Sequence, residues 1–95
     1  MNTGPDAEDI ARVCDGLKAL LLDKNSRYGG SALDPMRVFS RADAVEQIKV
    51  RLDDKLSRLA RGTGLDAADG EDVIADLMGY LVLLKIALRR AGRSQ

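Results

Sequence analysis

Apolar residues recur at helical spacing in three separate stretches of this chain. Ile10, Val13, Cys14, Leu17, Leu20 and Leu21 make the first stripe and predict a helix over about 7–23. Asp6 follows Pro5 and precedes Asp9 by three residues, a spacing suited to capping that helix. Val45, Ile48, Leu52, Leu56 and Leu59 make the second stripe, a helix over about 41–61 that Ser40 or Asp43 can cap and Gly62 can stop. The third helix opens near Asp69 and covers about 70–90. Nearly every position from Val73 to Leu84 is apolar, and Arg89 and Arg90 stand where cations suit the negative end of the helix dipole. No run alternates with period two, so the expected fold is all-α, with three main helices in a single domain over 1–95.

The connections differ in length. "GTGLDAADG" is a short polar turn between the second and third helices, whereas 24–39, "KNSRYGGSALDPMRVF", is long for a compact helical domain. Such domains rarely keep about fifteen structureless residues without a use for them. An ordered loop is therefore expected, with two readings that can hold together. Tyr28, followed by Gly29 and Gly30, can offer a ring and bare backbone N–H groups to a ligand, because glycine permits close backbone approach. Alternatively Tyr28, Leu33, Met36, Val38 and Phe39 cover the helix ends as a packed loop.

Composition narrows the function classes. A chain of 95 residues buries only a small core, so a second copy is expected to complete it as a helical-bundle dimer or higher oligomer. Fifteen basic residues balance fifteen acidic ones, which argues against nonspecific nucleic-acid binding, since that needs a cationic surplus. With no histidine and a single cysteine, His-activated nucleophiles, His-based zinc sites and an internal disulfide are excluded. Cys14 shares spacing with Ile10 and Leu17 and is expected to be a small buried hydrophobe. The acidic, polar N-terminus lacks signal-peptide features. The apolar run from Leu77 to Leu84 falls far short of the roughly 20 residues that span a bilayer. Cytoplasmic location and no membrane association are the expectations.

The chemistry concentrates on two helices. Arg51, Asp54, Lys55 and Arg58 stand at i, i+3, i+4 and i+7, one face beside the apolar stripe. Such a face can cradle a phosphate, or it can be a solvated run of weak intrahelical ion pairs. On the third helix Asp72, Asp76 and Tyr80 follow one another at i+4, with Asp76 inside the most apolar stretch of the chain. An ionised carboxylate buried there without a partner would cost several kcal/mol, roughly 3–5 when a pair is broken. Asp76 must therefore be paired, metal-bound or protonated. Arg51, Lys55 or Arg58 can meet it across an antiparallel hairpin, as a structural ion pair or as part of a site. Asp72 and Asp76 can instead bind Mg²⁺ together with phosphate oxygens and water.

In this order, Tyr28–Gly29, then Arg51, Asp54, Lys55 and Arg58 as R-x-x-D-K-x-x-R, then Asp72, Asp76, Leu77 and Tyr80 as D-x-x-x-D-L-x-x-Y, the chain resembles small, often phage-borne MazG-like proteins. The nearest pattern is that of the nucleotide modification associated domain family, and the likeness covers about 20–88. It implies a relation to the all-α nucleoside triphosphate pyrophosphohydrolases, which assemble through four-helix bundles. The catalytic branch holds Mg²⁺ on E-x-x-E and E-x-x-D helices. Here the first is replaced by Asp53, Asp54 and Lys55, and losing acids weakens metal-activated hydrolysis.

The leading expectation is thus a nucleotide-binding protein, including one that sequesters a cyclic or signalling nucleotide in a phage anti-defence role. Tyr28, Gly29, Arg51, Asp54, Lys55, Arg58, Asp76 and Tyr80 would form the site, with the cations on phosphate and Tyr28 on the base. One alternative is a Mg²⁺-dependent nucleoside triphosphate pyrophosphohydrolase using Asp54, Asp72 and Asp76, with Asp72 and Asp76 as metal ligands. The other is a non-catalytic helical oligomerisation module.

Overall fold

The computed structural model describes residues 4–35, 40–65 and 72–92. Among these residues there are three helices and no strand: α1 (Ala7–Tyr28), α2 (Ala44–Ala60) and α3 (Val73–Arg90). The all-α expectation holds, with shifted boundaries. The first helix continues five residues beyond Asp23, through Lys24, Asn25, Ser26, Arg27 and Tyr28. It stops only where Gly29 takes the left-handed conformation at φ 61° and donates its N–H to the Asn25 carbonyl. Lys24, Asn25, Ser26 and Arg27 are all compatible with helix interiors, so glycine rather than polarity ends the element.

Of the two offered caps for α2, Asp43 makes the bond, accepting the Glu46 N–H at 2.9 Å. Asp6 makes no such side-chain bond at α1. Gly62 follows the end of α2 with φ 74°, as its stop requires. The third helix begins at Val73, later than Asp69, because the Asp72 side chain accepts the Ala75 N–H at 2.9 Å and caps the first turn. Val73 is fully buried and its N–H donates to the carbonyl of buried Gly64 at 2.8 Å, tying the turn after α2 to the start of α3.

α2 and α3 form the packed pair, while α3 touches α1 only lightly. The core contains Val45, Ile48 and Leu52 of α2 and Ala87 of α3, flanked by Leu33, Leu77, Tyr80, Leu83, Leu84 and Leu88. The second stripe is thus buried over its first half, and Leu56 near its end is exposed. Leu33 confirms a packing role for part of the loop, whereas Tyr28 is 64% exposed and does not cover a helix end. Met36, Val38 and Phe39 lie outside the described residues, as does most of the second turn.

α1 departs most from expectation. None of its residues is buried, and Ile10, Val13 and Leu20 are exposed. Cys14 is exposed as well, correcting its expected burial. The reason is geometric: α1 meets α3 closely near Leu21, where a Cβ placed on Gly79 would lie 3.1 Å from Leu21 Cδ2. Further toward its N-terminus, Val13, Leu17 and Leu20 border an apolar groove of about 290 Å³ that also reaches Ala75 and Met78 of α3. No described helix is long and apolar enough to cross a membrane.

Candidate functional site

Asp76 sits one turn into α3, with its side chain 23% exposed, so it is half-buried as its neighbours require. Its partner is Lys55, whose Nζ lies 3.1 Å from one carboxylate oxygen and whose side chain is only 17% exposed. The other oxygen lies 4.0 Å from Nζ of Lys24 on α1. One carboxylate therefore draws cations from both neighbouring helices. Arg51, one turn before Lys55, points its guanidinium at the ring of Tyr80, 6.0 Å from the centroid, at the outer reach of a cation–π contact.

Asp76, Lys24, Arg51 and Tyr80 border a cavity of about 470 Å³ where the three helices and the loop after α1 converge. That volume lies within the range of small-molecule sites, roughly 300–1,000 Å³. Its polar wall includes Lys24, Asn25, Gln47, Arg51 and Asp76, and its rings are Tyr28 and Tyr80. Leu20, Leu21, Leu33 and Leu83 supply the apolar surface. Gln47 is held in place by donating through Nε2 to the Ala42 carbonyl at 2.7 Å. Chemically, the arrangement can take an anionic group at the Lys24–Arg51 side and a planar ring against tyrosine.

The expected site residues divide. Tyr28, Arg51, Asp76 and Tyr80 border the cavity, and Lys55 supports it through Asp76. Gly29 does not line it; its N–H is engaged at the end of α1, contrary to the expectation of a bare amide, and the adjacent Gly30 lines the wall. Arg58 and Asp54 pair with each other at 3.3 Å along α2 and do not line the cavity. Asp72 is occupied in part as the α3 cap and borders the apolar groove instead. Among the described residues no group of three or more His, Cys, Asp or Glu side chains is arranged to hold a metal.

Lys24, Asn25 and Gln47 were missed by sequence reasoning. Ending the first helix at Asp23 hid the signal, because Leu20, Lys24 and Tyr28 continue at i+4 along one face once the helix runs to Gly29. No protein-family model, curated protein or solved structure matches this chain.

Proposed function

We propose that this protein binds a nucleotide in the cavity between its three helices. The observation carrying this reading is the conjunction of cationic Lys24 and Arg51, two tyrosine rings and about 470 Å³ of space around one anchored carboxylate. Cations meet phosphate, while Tyr28, exposed at the rim, stacks on the base. Asp76 holds Lys55 and Lys24 in place rather than binding phosphate itself. A MazG-like ancestry that lost its first acid pair is consistent with such a site, and so is sequestration of a nucleotide without turnover.

Binding is favoured over Mg²⁺-dependent pyrophosphohydrolysis because each of the three acids that hydrolysis would use is engaged by another group. Asp54 faces Arg58, Asp72 accepts the Ala75 N–H and Asp76 faces Lys55. A thermal-shift panel of nucleotides tests the proposal. A ligand at 100 times its Kd adds about 2.7 kcal/mol to stability, so a binder raises the melting temperature measurably. No shift with any nucleotide refutes it, and pyrophosphate release abolished by Asp76→Asn would establish the enzymatic alternative.

Self-association belongs to the same reading and rests on α1. Its Ile10, Val13 and Leu20 stand exposed among the described residues, an apolar stripe that a second copy can cover, and a chain of zero net charge does not repel its copies.

A further inference from the structure

Among the described residues, the charges around the cavity are few enough to constrain what kind of nucleotide fits. Among the described residues lining it, Lys24 and Arg51 are the cations and Asp76 the carboxylate. Lys55 adds its charge from behind Asp76. Among these described residues, three cations against one carboxylate leave a surplus of two positive charges. They are also concentrated: Lys55 and Lys24 both approach Asp76, at 3.1 and 4.0 Å, and Arg51 lies one turn from Lys55 on the same face of α2. Arg58, the next cation along that face, is turned to Asp54 and lies off the cavity. Away from this corner the described wall is uncharged, with Leu20, Leu21, Leu33 and Leu83 beside the neutral polar side chains of Asn25, Ser31 and Gln47.

We infer that the site recognises a single terminal phosphate, so that its ligand class is the nucleoside monophosphate. This rests on the nucleotide-binding reading above and specifies it. A phosphate monoester carries about −1.5 to −2 at neutral pH, which matches the local surplus. A second and third phosphate meet no further cation among the described residues lining the cavity and add little. A cyclic dinucleotide also carries two negative charges, but on two separated diesters, whereas these cations converge on one corner. Asp76 then has a selective role besides anchoring Lys55, since its charge opposes any anion beyond the first phosphate.

Isothermal titration calorimetry of the full chain in EDTA, with nucleosides and their mono-, di- and triphosphates for each common base, tests this. For the preferred base, the monophosphate binds at least thirtyfold tighter than the nucleoside, and the triphosphate binds less than tenfold tighter than the monophosphate. Lys24→Gln, at a half-exposed position that should not affect folding, weakens the monophosphate about tenfold, the effect of one charge-assisted hydrogen bond. It leaves the nucleoside unchanged. Asp76→Asn moves the triphosphate-to-monophosphate affinity ratio at least threefold toward the triphosphate. A triphosphate preferred tenfold or more, a cyclic dinucleotide bound more tightly than every monophosphate, or phosphate gains below thirtyfold each overturn the inference while leaving nucleotide binding intact. Absence of binding by the whole panel removes both.

Discussion

Asp76 and Lys55 form the least exposed ion pair among the described residues. Both side chains are largely withdrawn from water, and the second cation near Asp76, Lys24, is half-exposed and more distant. Replacing Lys55 with Met strands the carboxylate and should destabilise the chain by about 1–3 kcal/mol, less than the roughly 3–5 of a fully buried pair. Replacing both, Lys55→Met with Asp76→Leu, should restore most of that loss. Urea denaturation of the single and double variants measures it. A double variant as unstable as the sum of its singles would show that the two side chains do not act as a pair. That Asp76 needed a partner was legible from its apolar neighbours. Which cation supplied it was not, because Arg51, Lys55 and Arg58 share one helical face. The choice depends on how α2 and α3 are rotated against each other.

Gly79 makes a different demand. Alanine there gains about 1 kcal/mol of helix propensity, but its Cβ would press Leu21 Cδ2 at 3.1 Å, so Leu21 must yield by a few tenths of an ångström. Stability should change by less than about 1 kcal/mol. Nucleotide affinity should fall severalfold, because Leu21 seats the helix that brings Lys24 and Tyr28 to the cavity. Unaltered affinity in a folded Gly79→Ala protein would mean that α1 does not contribute to binding.

Among the helices, existence and type followed from apolar spacing, while ends followed from local hydrogen bonding that spacing does not encode. The apolar stripe ends at Leu21 and so suggested a stop near Asp23, yet α1 continues to the glycine that can adopt the left-handed cap. At the start of α3 the sequence left Asp72 open as a metal ligand or as part of a helix, and it is the capping residue. Asp72→Ala should therefore cost about 1 kcal/mol, whereas Asp72→Ser, which can still accept the Ala75 N–H, should cost only a few tenths. Thermal denaturation distinguishes them. Nucleotide binding that fails equally in both variants would point instead to a direct role for the carboxylate.

The chain as a whole is more extended than its length warrants. Its radius of gyration is 15.1 Å, against about 12 Å for a compact domain of this size. The described residues bury five hydrophobic side chains, none of them on α1. Exposure of that stripe was not foreseeable from its spacing, since a helix facing a second chain has the same periodicity as one facing its own core. If a second copy covers it, Val13→Asp should convert a dimer to monomer in light scattering after gel filtration. Because Val13 is 56% exposed, the change should cost a monomer little, within about 0.5 kcal/mol. A wild-type protein that is monomeric at all accessible concentrations would contradict self-association.

Where a nucleotide binds is tested directly by an ¹H–¹⁵N NMR titration of the full chain with nucleoside monophosphates. Binding in the cavity predicts saturable amide shifts concentrated at Lys24, Asn25, Tyr28, Arg51, Asp76 and Tyr80, with Arg58 and the N-terminal half of α1 little affected. Shifts confined to those outlying positions, or none at millimolar nucleotide, would contradict it.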